Sequence, residues 1–299
     1  MTPVAVIINV GAGAGGGRTA NWADQLVGKF REFDLDATIT LAASGADLVA
    51  AARQAVQQGA AMVVAGGGDG TVNAVASVLV GSTMALGVLP LGTLNHFAKD
   101  LHIPLVLDDA ICNLARGIKV KVDVGAVNDR IFLNNSSLGL YPDIVRDREK
   151  QQRRLGRGKW LAFCWASMAA LRRFPFLKVH LKVNGGYRAR RTPFIFIGNN
   201  IYRMHGLNIG ERERLDGGML SLYMAQSSGR LGLVRLALSA LFGRLAQAKN
   251  FEVLLTQEMV IETHHKRLRV AIDGEVTILS TPLHYRIRAA VLTVILPAP

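Results

Sequence analysis

The chain has 299 residues, of which 50% are hydrophobic and 19% are charged, with 9 prolines. This composition excludes a disordered or fibrous protein and suits a compact globular protein of about two domains. The formal charge of +13 predicts an anionic partner, and nucleic acid, an acidic membrane surface and a phosphorylated ligand all satisfy that expectation.

The N-terminus predicts a cytoplasmic protein, because glycines interrupt its short apolar stretch and no basic region precedes that stretch. The longest apolar run near the middle, Trp160 to Leu171, has 12 residues. That length is well below the roughly 20 residues that span a bilayer. Cys112 and Cys164 lack metal-ligand spacing, so we expect two reduced, inert thiols.

The first 120 residues alternate β-rich runs with alanine-rich helical stretches. This alternation is typical of a parallel sheet with helices on both faces, and it predicts an α/β domain over residues 1–120. The predicted elements in chain order are strand 4–10, helix 21–33, strand 37–41, helix 46–58, strand 61–65, helix 72–80 and strand 85–88.

After about Lys121 the pattern changes to short strands bounded by Gly, Asn and Asp, which predicts an antiparallel, β-sandwich-like domain over residues 121–299. The last strand fits either domain, and strand edges in this half are compatible with a homodimer. The predicted elements are strands 130–134, 178–183, 193–197, 219–224, 259–262, 268–272 and 291–296, with helices at 159–173 and 231–248.

A glycine-rich motif, GGGDGT, follows strand 61–65 and precedes helix 72–80. Glycines let the backbone approach an anion closely, and a helix N-terminus offers N–H groups to phosphate oxygens. Asp69 would repel phosphate unless a cation mediates or its carboxylate meets a donor, so it indicates Mg²⁺ or a hydroxyl-bearing substrate nearby. The alternative is a strand-to-helix turn in which Asp69 is a cap.

A second glycine cluster matches the dinucleotide fingerprint GxGxxG through Gly11, Gly13 and Gly16. Asp34 or Asp36 lies at about the right distance along the chain for a ribose contact, so an NAD(P)-dependent oxidoreductase is an alternative. A P-loop kinase is excluded, because GxxxxGK[ST] does not occur.

The segment LPLGTLNHFAKDLHIP, Leu89 to Pro104, follows GGGDGTVNAV at the spacing found in the diacylglycerol kinase catalytic-domain superfamily. Members of that superfamily carry GGDGT and then PLGTxNDFA, so the chain resembles a bacterial lipid kinase of the diacylglycerol, sphingosine or phosphatidylglycerol kinase type. NAD kinases share only the GGDGT element. Further matching segments are IIN at 7–9, Thr40, FLNNSSLGL at 132–140, IGNN at 197–200, LDGGMLSL at 215–222 and AIDGE at 271–275.

The resemblance implies a nucleotide-binding domain and a lipid-substrate domain, with ATP and Mg²⁺ held in the cleft between them. It implies that Glu275 is the general base for a lipid hydroxyl, with Asp273 and Asp69 supporting catalysis. Without the resemblance, Asp273 and Gly274 would be interpreted as a hairpin turn. The residues expected to contact or organise ATP are Asn9, Thr40, Gly66, Gly67, Gly68, Asp69, Gly70, Thr71, Asn73, Thr93 and Asn95.

Two departures from the family pattern bear on this interpretation. His96 stands where the family has Asp, so a carboxylate role there is lost or is passed to Asp100. The metal-associated DDGLL-like element has lost its second acid, because Gly217 stands in that position. The candidate metal ligands are therefore Asp216, Gly217 and Met219, with Asp216 or backbone carbonyls in place of the lost side chain. These changes leave a non-catalytic nucleotide-sensing or membrane-binding module as a further alternative.

A basic segment with seven Lys and Arg residues, 146–159, leads into the aromatic, apolar stretch 160–171. Such a sequence predicts peripheral association with the anionic inner face of the membrane. The alternative is a solvated basic run followed by a core helix. Because no nucleic-acid module is recognisable, we predict no nucleic-acid partner.

Overall fold

The computed structural model describes residues 1–11, 20–139, 177–183, 186–205, 208–212, 214–225 and 251–298. The helices predicted at 159–173 and 231–248, the basic segment 146–159, and Gly13 and Gly16 lie outside these residues. The chain forms two compact units. Unit 1 comprises Met1–Val124, Arg214–Gly217 and Arg288–Pro299, and unit 2 comprises Gly125–Glu213 and Gly218–Ile287.

Unit 1 contains a parallel sheet, as predicted from the alternating pattern. Its strands are β1 (Thr2–Asn9), β2 (Leu35–Ala42), β3 (Met62–Gly67) and β4 (Ala85–Pro90). They lie in the order β2, β1, β3, β4, and every pairing is parallel. All residues of β3 and β4 are buried, which explains their continuous apolar sequences.

The helices of unit 1 cover both faces of this sheet. They are α1 (Ala20–Arg31), α2 (Gly45–Gln57), α3 (Asp69–Leu79), α4 (His96–Asp100) and α5 (Leu107–Arg116). α1 packs against α5, and α2 packs against α3. A capping box begins α2, since Ser44 Oγ accepts from Asp47 N–H and the Asp47 carboxylate accepts from Ser44 N–H.

Unit 2 is built from antiparallel strands, which confirms the second predicted fold. The strands that follow α5 in the chain are β5 (Ile118–Val127), β6 (Arg130–Phe132), β7 (Asn135–Gly139), β8 (Leu177–Val183), β9 (Gly186–Thr192), β10 (Phe194–Asn199), β11 (Tyr202–His205), β12 (Asn208–Arg212), β13 (Leu220–Ala225), β14 (Phe251–Thr256), β15 (Glu258–Glu262), β16 (Arg267–Ile272), β17 (Glu275–Ser280) and β18 (Leu283–Leu296). Residues 118–124 of β5 and 288–296 of β18 belong to unit 1. One sheet has the order β14, β13, β10, β7, β16, β17, and β18, β15, β8 and β9 pair in a second series.

The core of unit 2 lies between these two sets of strands. Burial alternates along β8, which turns Val179 and Leu181 inward. They join Ile195 and Ile197 of β10 and Val270 of β16 in one hydrophobic cluster. Because each strand contributes alternate residues to this cluster, the short apolar patterns of the second half produce a sandwich.

Strand β18 takes part in both units. Its first residues pair antiparallel with β15 in unit 2. Further along, Thr293 and Val294 pair parallel with Ala85 and Leu86 of β4. The Gly81 N–H also donates to the Val291 carbonyl at 2.7 Å. Residues 288–296 therefore complete the sheet of unit 1 beside β4. Over the described ranges, no helix has the length and apolar character needed to cross a membrane.

Candidate active site

The carboxyl ends of the parallel strands place the predicted nucleotide residues at one edge of the unit 1 sheet. β1 ends at Asn9 and β3 at Gly67. From β1 the chain passes to β2 on one side and then to β3 on the other, so the strand order reverses between β1 and β3. Such a switch point leaves a crevice outside the strand ends, where open α/β sheets bind ligands. Asn9 and the GGGDGT loop line this crevice.

Asn9 joins the end of β1 to the first turn of α3. Its Nδ2 donates to Thr71 Oγ1 at 3.1 Å, and its Oδ1 accepts from Gly11 N–H at 2.9 Å. The Thr71 side chain lies over Gly67, where an added Cβ would come within 2.3 Å of Thr71 Oγ1. Asn9, Gly67 and Thr71 therefore fix the shape of the loop.

The amino end of α3 is suited to an anion. Helix α3 begins at Asp69, and its cap position is Gly68, which has no side chain to accept from the first-turn N–H groups. The dipole of the helix adds partial positive charge at this end. The geometry therefore fits the predicted phosphate-binding role of Gly66 to Thr71.

Asp69 links the two glycine-containing motifs. Its Oδ2 accepts from His96 N–H at 3.1 Å, and its Oδ1 accepts from Phe97 N–H at 2.9 Å. The carboxylate thus meets backbone donors, one of the two alternatives that the sequence left open, and it caps α4 rather than its own helix. Residue 96 contributes its backbone N–H to this contact. The contact therefore does not depend on whether the side chain there is His, as in this chain, or Asp, as in the family pattern.

Asn95 closes the PLGT loop with its whole amide group. It has a left-handed backbone, with φ of 50°, and the residue is 8% exposed. The Nδ2 donates to the carbonyls of Pro90 and Gly92 at 3.1 and 2.9 Å, and the Oδ1 accepts from Gly92 N–H at 3.1 Å. The side chain therefore organises the loop, whereas Thr93 lies exposed at its tip.

The two loops touch through their backbones at Gly68 and Gly92. A Cβ added to Gly92 would lie 2.3 Å from Gly68 Cα and 2.9 Å from Gly68 N. We expect Gly92→Ala to lower the free energy of unfolding by about 1–3 kcal/mol, because backbone atoms must move. ATP affinity should fall as well, since Gly68 is the cap residue of α3.

Gly28 in α1 provides the matched control for Gly92, because a Cβ added there meets nothing within 4 Å. Gly28→Ala should raise the free energy of unfolding by about 0.5–1 kcal/mol. Chemical denaturation measures the free energy of unfolding of both variants, and equilibrium binding measures their affinity for ATP. Equal stability of the two variants would contradict the close contact of the loops.

Two further predicted nucleotide residues lie at the same edge of the sheet. Thr40 is exposed on β2 and pairs with Ile7, two residues before the end of β1. Asn73 is half-buried in α3, close to its amino end. Their contacts with a nucleotide stay a prediction.

Asp273 both turns a hairpin and anchors a neighbouring strand. Asp273 and Gly274 have φ values of 46° and 86°, as a two-residue turn between β16 and β17 requires. The Asp273 carboxylate accepts from Leu133 and Asn134 N–H, each at 2.8 Å, and from Asn135 N–H at 3.0 Å. The hairpin turn expected without the resemblance is therefore present, whereas the support of catalysis by Asp273 stays a prediction.

Glu275 follows this turn as the first residue of β17, where it pairs with Ile272. It is exposed. Within the described residues, no hydrogen bond or ion pair engages its carboxylate. A carboxylate without such contacts is accessible to a substrate hydroxyl, from which the predicted general base must accept a proton.

A buried arginine that the sequence did not indicate connects the FLNN and IGNN segments of unit 2. Arg212 is 4% exposed, and its Nη1 donates to the carbonyls of Leu133 at 2.6 Å and Asn199 at 3.2 Å. Its Nη2 donates to Asn134 Oδ1 at 2.8 Å. The guanidinium carbon lies 5.4 Å from the ring centre of Tyr202. Arg212 thus holds the same backbone segment that Asp273 anchors.

Replacing Arg212 by methionine should lower the free energy of unfolding by about 2 kcal/mol, because each of the buried oxygens that it contacts loses a hydrogen bond from a charged donor. Arg267→Met is the matched control, since Arg267 is exposed on β16. Thermal and chemical denaturation compare the two variants. Equal stability in both would show that Arg212 does not hold the segment.

The three candidate metal ligands do not fit a metal ion as they are placed. Both oxygens of Asp216 accept from Arg214, Gly217 has no side chain, and the Met219 carbonyl accepts from Asn200 N–H at 3.0 Å. Across the described part of the chain, no three His, Cys, Asp or Glu side chains cluster as metal ligands. The sequence did not indicate the role of Arg214, as it did not indicate that of Arg212.

The position of Asp36 argues against the dinucleotide alternative. Asp36 is the second residue of β2 and pairs with Pro3, whereas Gly11 follows the opposite end of β1. Asp34 lies in the turn before β2, with φ of 59°. At about 3.3 Å per residue, the length of the strand separates both acids from Gly11, so neither can contact a ribose there. The expected ribose contact of Asp34 or Asp36 was wrong. The number of residues between Gly11 and an acid does not show whether that acid lies at the amino or the carboxyl end of β2.

Comparison with known proteins agrees with both units. Residues 3–127 match the diacylglycerol kinase catalytic domain, and residues 143–296 match the YegS C-terminal NAD kinase beta sandwich-like domain. A protein named probable lipid kinase YegS-like from Chromohalobacter salexigens is 28% identical over 255 residues, which cover 84% of this chain and 81% of the relative. A protein of the same name from Klebsiella pneumoniae is 38% identical over 141 residues, 46% of this chain and 48% of the relative.

A solved structure described as a diacylglycerol kinase from Bacillus anthracis has the same fold. Its TM-score is 0.70 at 19% identity, with 98% of this chain and 96% of that chain covered. The glycine loop at the switch point and the two matched domains lead to one assignment. The chain belongs to the lipid kinase family in which a diacylglycerol kinase catalytic domain is followed by a YegS-type C-terminal domain.

Proposed function

We propose that this protein transfers the γ-phosphate of ATP to the hydroxyl group of a diacylglycerol-like membrane lipid. The observation that carries the proposal is the amino end of α3, which has a glycine cap and faces the crevice between β1 and β3. This end of the helix supports binding of nucleotide phosphates. The names of the relatives support a lipid as the acceptor.

In the proposed reaction, the lipid hydroxyl oxygen bonds to the γ-phosphorus while the bond from that phosphorus to the bridging oxygen of ADP breaks. Glu275 accepts the hydroxyl proton. The loop of Gly66 to Thr71 binds the phosphates, and Asp69 and Asn95 hold the loop in shape. Asp273 positions the start of β17 through its contacts with residues 133–135.

Mg²⁺ would accompany the nucleotide and neutralise charge on the phosphates. Asp69 is the acid of the phosphate loop. It is half-buried, and its oxygens accept from His96 N–H at 3.1 Å and from Phe97 N–H at 2.9 Å. As the carboxylate of this loop, Asp69 is the side chain that would hold an Mg²⁺ bound to the nucleotide.

A membrane substrate also implies a membrane-facing surface, and the charge of +13 supports peripheral binding to an anionic inner leaflet. We include this location in the proposal. The protein should sediment with vesicles that contain anionic lipids and stay in solution with neutral vesicles.

The test of the proposed function is transfer of labelled phosphate from ATP to a lipid panel in mixed micelles. The panel contains diacylglycerol, a sphingoid base, phosphatidylglycerol and related alcohols. We expect labelled product from one of these lipids, and about 10²- to 10⁴-fold slower formation of that product with the Glu275→Gln variant. Intact ATP binding without labelled product from any of them would contradict the proposal and indicate a nucleotide-sensing module.

A further inference from the structure

Arg214 holds the one acidic side chain that remains in the altered metal-associated element. Its Nε donates to Asp216 Oδ1 at 2.8 Å, and its Nη2 donates to Asp216 Oδ2 at 3.2 Å. These two bonds form a bidentate pair, in which two nitrogens of the guanidinium each donate to one oxygen of the carboxylate. Arg214 therefore occupies the position between the two oxygens of Asp216 that a cation bound by both of them would take.

The ion pair of Arg214 and Asp216 balances its own charge. An arginine guanidinium stays charged throughout the physiological pH range, so it supplies the positive charge that a bound cation would otherwise provide.

Asp123 ties this element to the rest of unit 1. It is 1% exposed, and its N–H donates to the Leu215 carbonyl at 2.7 Å. Its Oδ1 accepts from Ala290 N–H at 2.8 Å, next to the part of β18 that belongs to unit 1. Residues 214–217 are therefore fixed in unit 1 by contacts within the protein.

We propose that Arg214 replaces the metal ion of this element, so that residues 214–217 are held by an internal cation and bind no structural metal. Gly217 removes a carboxylate, and Met219 uses its carbonyl to bind Asn200 N–H. A divalent ion would also be repelled by the guanidinium at Asp216. This inference concerns the protein without nucleotide and does not depend on the proposed function.

Thermal unfolding of nucleotide-free protein tests the inference, with EDTA or millimolar MgCl₂ at matched ionic strength. The variants are Arg214→Ala, Asp216→Asn and the double variant. Lys29→Ala is the matched control, because it removes another exposed ion pair of unit 1, with Asp108. The wild-type Tm should be the same in EDTA and Mg²⁺.

In EDTA, Arg214→Ala should lower the Tm by about 2 °C, since the pair is exposed. Mg²⁺ should restore this loss in Arg214→Ala, because the ion can then occupy the vacated position at Asp216. It should restore nothing in the double variant or in Lys29→Ala.

Three results would overturn the inference. The first is a saturable rise of the wild-type Tm with Mg²⁺ that Asp216→Asn abolishes. The second is an Arg214→Ala variant whose Tm equals that of the wild type in EDTA. The third is an equal Mg²⁺ response in Lys29→Ala, which would make the effect a general one of ionic conditions.

Discussion

Replacing Glu275 by glutamine is expected to lower kcat/KM for phosphoryl transfer by about 10²- to 10⁴-fold, the range that a positioned proton acceptor contributes. Glutamine has the same shape but cannot take a proton from the lipid hydroxyl. The Tm should not change, because Glu275 is exposed and the turn before it is fixed by Asp273 and Gly274. The labelled-phosphate assay and thermal unfolding measure the two quantities.

Glu258 is the matched control for Glu275. It is also an exposed glutamate at the first position of a strand of unit 2, β15. Glu258→Gln should keep the wild-type rate. Glu275→Gln should keep the wild-type affinity for ATP, which equilibrium binding measures. A Glu275→Gln enzyme with the wild-type rate would exclude this residue as the base.

The second large effect is expected from Asp69→Asn, which should weaken ATP binding by about 5- to 150-fold, the equivalent of about 1–3 kcal/mol. The side-chain amide of asparagine offers one oxygen, so either His96 N–H or Phe97 N–H faces an NH₂ group and loses its acceptor. The amino end of α4 then moves away from the phosphate loop. Isothermal titration with ATP, with and without Mg²⁺, measures the loss.

Asp47→Asn separates this effect from a general loss of helix capping. Asp47 accepts from Ser44 N–H in the capping box of α2 and lies outside the two glycine loops. Its substitution should lower the Tm without changing ATP affinity. Wild-type ATP affinity in Asp69→Asn would show that the contact with α4 does not hold the loop.

The sequence predicted the strand, loop and helix around GGGDGT because the signals for them are local. The apolar strand, the glycines and the helix follow one another along the chain, so their pattern indicates the turn, while its phosphate ligand stays a prediction. Helix α4 was missed, since five residues give no periodicity and its cap, Asp69, is supplied from another part of the chain. Strand β9 was missed as well, because GYRARRT shows no apolar alternation.

The contacts of Arg212 and Arg214 could not be predicted from a single sequence. The partners of Arg212 come from residues 133–134 and 199, and only the folded sheet brings them together. Arg214 lies beside its partner, yet an arginine near an aspartate is common on protein surfaces. The loss of an acid at Gly217 was visible in the sequence, whereas its compensation by a guanidinium required coordinates.

Strand β18 affects the order in which the protein can fold during synthesis. Unit 1 begins with the first residues of the chain, but its sheet gains the strand beside β4 only from residues 288–296. Until the ribosome has released that segment, the edge of β4 has no partner from β18, and an unpaired edge is prone to intermolecular pairing. Unit 2 lies almost entirely between the two parts, so unit 1 is the first of the two units to begin translation and the second to be completed.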